Sequence, residues 1–223
     1  MLPDIPIIFQ NDEIVAVGKP IGISVHNAED ATNLLSLLEG ALQIKKLFPV
    51  HRLDKETSGV QLLATTEASA RKFAEQFQKN AVVKSYSGIL RGQVKTSGGK
   101  WLKPLSDKAE GRTNPAGLAK DRIPCETVFQ VAKVSKYFSL CHFTLVTGWQ
   151  HQIRKHAAIA GHAIVGDPRY GDSKYNNRMS KIYDIERMYL HCQSIAILEH
   201  QFEMPQPNDF DTLFNDGATD SAL

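Results

Sequence analysis

The sequence has no long apolar run. No stretch approaches the roughly 18 consecutive apolar residues that a membrane-spanning helix needs. The first residues, MLPDIPIIFQNDE, also lack the basic start and apolar core of a secretory leader. Neither an internal repeat nor a low-complexity tract is visible. Because 42% of the 223 residues are hydrophobic, we expect a globular protein that is soluble in the cytoplasm.

Cysteine is scarce, with three residues that lie far apart and form no CxxC pair: Cys125, Cys141 and Cys192. This spacing argues against both a disulfide framework and a cysteine zinc site. The histidines also show no zinc-binding spacing. We therefore expect reduced, mostly buried thiols and no bound metal.

Charge is unevenly distributed along the chain. The formal net charge is +2, but residues 205–223 contain four aspartates and no lysine or arginine. Residues 1–204 therefore carry all 26 basic residues against 20 acidic ones. We expect one domain over residues 1–204, followed by an acidic, flexible tail over 205–223. A mildly basic domain is compatible with nucleic-acid binding, although many other proteins have a similar charge.

Short apolar runs bounded by turn residues predict strands at 14–17, 59–64, 82–90 and 137–147. In the last run, apolar and polar residues alternate, which is typical of a strand with one buried face. Strands outnumber convincing helices and do not alternate regularly with them. The sequence therefore predicts an α+β fold with a mixed, largely antiparallel sheet flanked by helices.

Two segments have helical signals. Thr66 is placed to cap a helix whose apolar residues recur at i, i+3, i+4 and i+7 from Ala70. The segment 149–160, WQHQIRKHAAIA, is the second helix, with Gly161 as its C-terminal stop. In that helix Gln150, His151 and Arg154 are expected to share one face.

Between the strand regions, residues 95–122 form a long, Gly-rich polar excursion with seven basic residues: Lys95, Lys100, Lys103, Lys108, Arg112, Lys120 and Arg122. A long loop in a compact domain is often functional, and a basic one suits phosphate contacts. A solvated surface loop is the alternative interpretation.

The most informative segment is HRLDKETSG at residues 51–59, a charged loop just ahead of a predicted strand. From the residues alone, Asp54 fits a nucleophile, a general base, a metal ligand or a simple Asx turn. The last is the commonest fate of an aspartate before Thr-Ser-Gly.

Together with segments that follow in order, this loop resembles the RluA-type pseudouridine synthases. HRLDKETSG matches the family pattern HRLDxxTSG completely. Lys84-Ser-Tyr86 is similar to its KxY strand, and TGWQHQIR at 147–154 to its TGRxHQIR segment. Further similarities to the family are DE…KPIG…VH at 12–26, GHAIVGDPRYG at 161–171 and the LHC strand at 190–192. The resemblance spans roughly residues 9–200, and motifs in correct order are far more specific than one short motif.

The resemblance implies a cofactor-free isomerase with the pseudouridine synthase catalytic fold. Asp54 is implied as the catalytic carboxylate, Tyr86 as the aromatic ring that stacks on the target uracil, and Arg154 as the cation that keeps the carboxylate ionised. RNA contacts are expected at a further set: His51, Arg52, Trp149, His151 and Gln152. Arg52 is implied to hold the space left by the flipped base. Trp149 departs from the family, which commonly has a basic residue there.

The implied partner is structured RNA, either transfer RNA or 23S-type ribosomal RNA, with a monomer as the default state and no membrane contact. About ten residues precede the first predicted strand, so we expect no separate small RNA-binding domain. Two other functions remain open. One is a catalytically silent RNA-binding protein, and the other is a carboxylate-dependent glycoside hydrolase, which normally needs a second acid.

Overall fold

The structure is a computed structural model that describes residues 5–27, 30 and 32–214. Its strands are β1 Ile7–Gln10, β2 Ile14–Lys19, β3 Phe48–Pro49, β4 Ser58–Ala64, β5 Val83–Arg91, β6 Gly98–Trp101, β7 Leu105–Ser106, β8 Arg122–Ile123, β9 Thr127–Val134, β10 Phe138–Leu145, β11 Leu190–Ile197 and β12 His200–Glu203. Its α-helices are α1 Leu34–Leu42, α2 Glu67–Gln78, α3 Gln152–Ile159, α4 Ser173–Tyr183 and α5 Asp209–Thr212. The described chain forms two compact units. Unit 1 comprises residues up to 85 together with 191–205, and unit 2 comprises 86–190 together with the residues from 206 onward.

Unit 1 is built on the strand order β1-β2-β4-β11, with β3 paired to β4 and β12 paired to β11. Its pairs are antiparallel except β4 with β11, which is parallel. Val15 and Val17 alternate on β2 and face a cluster that also contains Leu34 and Leu38 of α1. Helix α2 begins with a capping box at Thr66 and buries Phe73. The cap and the apolar stripe predicted for this helix are therefore confirmed.

Unit 2 has the strand order β5-β10-β9-β6, and β9 pairs antiparallel with both β10 and β6. Along β10 the buried residues alternate with exposed ones from Cys141 to Leu145, as the sequence predicts. Helices lie against the sheets, and the predicted α+β class with a mixed, largely antiparallel sheet is confirmed. All three cysteines are free and buried, and burial raises the pKa of Cys141 to about 12.

The structure corrects two boundaries. The tail does not begin at residue 205, because α5 packs into unit 2 with Phe210 fully buried and Leu213 5% exposed. The remainder of the predicted tail, 215–223, lies outside the described residues. The excursion at 95–122 is also not an unstructured loop, since it contains β6, β7 and the start of β8. Among the described residues, no helix is long and apolar enough to cross a membrane.

Within unit 2, buried groups of α3 hold the excursion in place. The Lys155 ammonium, fully buried, donates to the carbonyl oxygens of Ser106 and Lys108, both at 2.7 Å. His156 contacts the Lys103 carbonyl oxygen at 2.9 Å through Nε2. A buried ammonium requires such acceptors, so the excursion supplies the carbonyl groups that make this burial possible.

Candidate active site

Asp54 lies in the loop that joins β3 to β4 in unit 1, and its side chain is half-buried. The Thr57 amide donates to the Asp54 carbonyl oxygen at 3.1 Å, which closes a tight turn. The Gly22 amide donates to the next carbonyl oxygen, that of Lys55, at 2.8 Å. The backbone that carries the carboxylate is therefore fixed on both sides of the turn.

The side chain of Gln61, fully buried on β4, holds the first part of this loop. Its Oε1 accepts the Leu53 amide at 3.0 Å, and its Nε2 donates to the His51 carbonyl oxygen at 2.8 Å. Nε2 also donates to the Leu62 carbonyl oxygen at 3.0 Å. The Gln61 side-chain amide thus binds the backbone on both sides of Arg52. The bond to the Leu53 amide lies one residue before Asp54. No motif in the sequence pointed to Gln61.

Lys19 is a second buried group at the Asp54 loop, with no solvent exposure. Its ammonium donates to the carbonyl oxygens of Pro20 and Ile23 at 2.8 and 2.9 Å, and to that of Lys55 at 3.3 Å. These bonds tie the KPIG loop to the turn after Asp54. The KPxG similarity was the available signal for this positioning role.

Gly59 explains why the loop ends in Thr-Ser-Gly. It pairs with Cys192 across the parallel β4–β11 pair and has a φ of +117°. A β-carbon at this position would lie 2.1 Å from the Cys192 carbonyl oxygen. Only glycine permits so close an approach, which brings β11 against the start of β4.

Arg52 and His51 precede Asp54 but have different environments. Arg52 is exposed, and in the described part of the chain it forms no ion pair with Glu56. The His51 ring is half-buried, stacks on Phe77 at 5.1 Å between centroids, and accepts the Leu62 amide at Nε2. Of the two, only Arg52 presents a cation to solvent.

Burial, with a smaller contribution from the Lys84 charge, lowers the pKa of His51 from 6.5 to about 3. Below pH 6.5 the unfolded chain binds a proton at His51 that the folded protein excludes, so stability falls as the pH falls. We expect a loss of up to about 1.4 kcal/mol per pH unit from this residue. In urea unfolding at neutral pH and near pH 5, His51→Phe should flatten the pH dependence. An unchanged slope in the variant would assign the pH dependence to other groups.

Arg154 lies in α3 of unit 2 and is 2% exposed. Its Nε and Nη2 donate to Oδ2 and Oδ1 of Asp167 at 2.8 and 2.9 Å, a bidentate pair with a fully buried carboxylate. Burial opposes ionisation of Asp167. The hydrogen bonds and charge of Arg154, with the amides of Tyr170 and Arg169, nevertheless hold the pKa of that carboxyl below its ordinary value. The orientation of Arg154 is therefore set by Asp167, which lies in the GHAIVGDPRYG similarity but was not predicted as a site residue.

The start of α3 differs from the prediction. The helix begins at Gln152, and its N-cap His151 adopts the left-handed conformation with a φ of +57°. Gln150 therefore precedes the helix, and the face expected to carry Gln150, His151 and Arg154 does not exist. His151 instead contacts the Tyr170 hydroxyl through Nδ1 at 3.0 Å. At the other end, Gly161 has a φ of +83°, as predicted for a helix stop.

Gln152, expected at the RNA, is 3% exposed and has an internal role. Its Oε1 accepts from the Thr147 hydroxyl and the Trp149 amide, and its Nε2 donates to Glu126 and Thr127. Both amide atoms are thus engaged inside unit 2. RNA contact by this residue stays a prediction, one that these internal bonds do not favour.

Trp149 also has contacts within unit 2. Its half-buried indole packs on the small cluster of Leu105, Ala116 and Cys125, and Nε1 donates to the Pro124 carbonyl oxygen at 3.4 Å. The aromatic residue at this family position thus helps to hold the excursion.

Tyr86, the residue expected to stack on the target base, lies on β5 and is 8% exposed.

The chain has clear relatives among characterised families. Residues 13–159 match the family model described as RNA pseudouridylate synthase. The chain is 34% identical over 231 residues to the tRNA pseudouridine synthase C of Haemophilus ducreyi, covering 90% of this chain and 94% of that protein. It is 31% identical over 198 residues to the ribosomal large subunit pseudouridine synthase C of Escherichia coli. That alignment covers 85% of this chain but 60% of the relative, so the chain spans less than two thirds of the ribosomal enzyme's length.

Solved structures show the same fold. The human RNA pseudouridylate synthase domain containing 4 aligns with a TM-score of 0.77 at 24% identity, covering 92% of this chain and 90% of the human chain. The human RNA pseudouridylate synthase domain containing 1 aligns with a TM-score of 0.74 at 22% identity, covering 94% and 87%.

Proposed function

The chain belongs to the RNA pseudouridylate synthase family, whose enzymes are isomerases, and we propose that it converts a specific uridine in structured RNA to pseudouridine with Asp54 as its catalytic carboxylate. The observation that carries the proposal is the Asp54 loop. A half-buried carboxylate is mounted on a backbone that buried Gln61 and Lys19 hold by hydrogen bonds. Such preorganisation is what a group that acts on a reacting centre requires.

The reaction explains why a single carboxylate suffices. The bond from ribose C1′ to uracil N1 breaks, the base turns, and C1′ joins C5 while C5 loses its proton and N1 gains one. No electrons are gained or lost overall, so no redox cofactor is required. We propose that no metal takes part either, since the histidines show no zinc-binding spacing. Asp54 serves beside the sugar as nucleophile, as base toward the ribose or as a stabiliser of positive charge at C1′.

The remaining roles rest on the family similarity. We propose that Tyr86 stacks on the target uracil and that Arg154 supplies the cation of the catalytic centre. The fixed orientation of Arg154 supports its role, because the bidentate Asp167 pair restricts the guanidinium to one geometry. His151, held by Tyr170, remains a candidate for RNA contact.

The proposed substrate class is transfer RNA or large-subunit ribosomal RNA, following the names of the relatives. The test is to map pseudouridine in total RNA from cells with and without this protein. A uridine that is modified only when the protein is present identifies both the activity and the site. Identical maps, with RNA still bound by the purified protein, would instead support a catalytically silent RNA-binding protein.

We propose that exposed Arg52 fills or holds the place of the flipped base. Arg52→Ala is expected to slow turnover on folded RNA by roughly tenfold to a hundredfold, because stacking on a base is worth about 1–3 kcal/mol. The melting temperature should stay unchanged, since Arg52 is exposed and has no ion-pair partner among the described residues. Single-turnover rates provide the measurement, with exposed Arg71→Ala on α2 as the control. Equal rates for both variants would exclude the role.

A further inference from the structure

Helix α4, Ser173–Tyr183, carries a stripe of cations that the catalytic roles do not use. Lys174, Arg178 and Lys181 recur at i, i+4 and i+7 and are all exposed, with exposed Asn177 beside them. At 1.5 Å per residue the stripe extends over about 10 Å on one helix face. We define these three cations as the α4 stripe.

The α4 stripe is not neutralised by any ion pair among the residues that the structure describes. Residues 173–183 contain no acidic residue, and none of the three cations has an ion-pair partner in the described part of the chain. Asp172, just before the helix, caps the Tyr175 amide and pairs with Arg112, so its charge is already offset. Helix α2 is a contrasting case in the same protein.

On α2 the exposed cations are paired with carboxylates. Arg71 lies 3.9 Å from Glu67, Lys72 lies 2.8 Å from Glu13, and Lys79 pairs with Glu75. This mixture of signs is the usual arrangement of a solvated helix surface. The α4 stripe departs from it, since its like charges at i, i+4 and i, i+3 repel one another and Lys174 lies at the positive end of the helix dipole. Lys181, in the last turn, is favourably placed relative to the dipole, but the mutual repulsion along the stripe remains and would be relieved by a bound anion.

The opposite face of α4 shows which polyanion fits. Met179 is buried, and Tyr175, Ile182 and Tyr183 pack against the same core cluster of unit 2. An amphipathic helix that lies in a membrane surface inserts its apolar face among the lipids, and this face of α4 is already packed on the core. The stripe therefore suits a soluble polyanion that needs charge contacts alone.

The base of α4 is joined to the partner of Arg154. The Asn176 side chain donates to the Asp167 carbonyl oxygen at 2.9 Å, and the Gly171 amide donates to the same oxygen at 3.1 Å. Asp167 in turn holds the guanidinium of Arg154. The stripe is thus rigidly connected, within unit 2, to a residue of the proposed catalytic machinery.

From these observations we propose that the α4 stripe binds backbone phosphates of the RNA substrate outside the target nucleotide. This inference rests on the proposed function for the identity of the polyanion. Phosphate contacts position the RNA and carry little sequence information, so the stripe contributes affinity and register rather than base selection.

The test compares two triple variants that remove the same charge. Lys174→Gln/Arg178→Gln/Lys181→Gln is expected to weaken RNA binding by about tenfold to a hundredfold at 0.1 M salt, and to reduce the slope of log K against log salt by about 2 to 3. The control, Arg71→Gln/Lys72→Gln/Lys79→Gln on α2, should change the slope by less than about 1. Single-turnover rates at saturating RNA should match wild type for both variants. The swap Lys174→Arg/Arg178→Lys/Lys181→Arg should retain wild-type affinity.

Several results would exclude RNA binding by the α4 stripe while leaving the proposed function intact. One is wild-type affinity and slope in the α4 variant, and another is an equal loss in both triple variants, which would assign the effect to overall charge. Stripe-dependent sedimentation with anionic phospholipid vesicles, combined with unchanged RNA binding, would assign the surface to membranes. Failure of the proposed function looks different, because the wild-type protein would then bind RNA without forming pseudouridine, or not bind it at all.

Discussion

Asp54→Asn is expected to lower pseudouridine formation by at least about a thousandfold while RNA remains bound. The amide keeps the shape of the side chain and one acceptor but removes the negative charge that each proposed role of Asp54 uses. Affinity should stay within about twofold, because phosphate neutralisation by the basic surface supplies most of it. Pseudouridine is measured by chromatography of nuclease digests, and RNA binding by gel shift.

The matched control is Glu56→Gln, which removes one carboxylate charge from the same loop two residues later. It should retain turnover, whereas Asp54→Asn should not. Thermal melting of both variants must resemble that of wild type for the comparison to report on chemistry. Wild-type turnover by folded Asp54→Asn protein would remove Asp54 from the catalytic role.

Asp167→Ala is expected to destabilise the protein by about 3–5 kcal/mol, because it leaves Arg154 as a buried charge without its bidentate partner. The amides of Arg169 and Tyr170 lose their acceptor at the same time. At temperatures where the variant is folded, turnover should also fall, since the guanidinium is no longer held in one orientation. Urea unfolding provides the free energy, and single-turnover assays provide the rate.

The control for this variant is an exposed ion pair in the same unit. Asp211→Ala removes the partner of Lys133, and both side chains are about half exposed. Exposed pairs contribute about 0–1 kcal/mol, so Asp211→Ala should have a small effect. Equal destabilisation by the two variants would mean that the Arg154–Asp167 pair is not the cause.

The Asp167 contribution also has a defined pH dependence. The folded-state pKa of this carboxyl is below its ordinary value, so its stabilisation is present above the unfolded-state pKa. It is lost as the pH falls through the folded-state value. Like His51, this group therefore makes the protein less stable in acid.

Local sequence signals were sufficient to predict elements whose limits depend on side-chain alternation, capping or a terminal glycine. Alternation along residues 137–147 predicted the two faces of β10, and Thr66 predicted the capped start of α2. Gly161 predicted the end of α3. In these cases side-chain periodicity and capping decide the structure, and distant residues have little influence.

Features that depend on tertiary contacts were missed. Helix α3 starts at Gln152, later than predicted, after the left-handed N-cap His151. The Gln152 side chain also binds Glu126 and Thr127 from another segment, and no periodicity reveals such contacts. Helix α4 was not predicted at all. Its segment is short and mostly polar, and its few apolar residues stabilise the helix through tertiary packing on the unit 2 core. Arg154 was named as a site residue, but its partner Asp167 lies 13 residues further along the chain.

The candidate site was predicted in the same uneven way. The family motifs singled out Asp54, but the buried groups that fix its loop, Gln61 and Lys19, make contacts across separate segments. Their amide and ammonium groups bind backbone atoms, and a sequence does not show which backbone atoms lie nearby. Gln152 and His51 were assigned to RNA by position in a motif, although their side chains have partners inside the protein.

Isomerisation of uridine by this protein is tested most directly by following the hydrogen at uracil C5. The wild-type protein is incubated with RNA that contains 5-tritiated uridine, and released tritium, pseudouridine and free uracil are quantified in the same reaction. If Asp54 catalyses the isomerisation, tritium release should equal the pseudouridine formed, with no free uracil, and Asp54→Asn should release none. Free uracil without pseudouridine, or bound RNA with no tritium release by the wild-type protein, would contradict it.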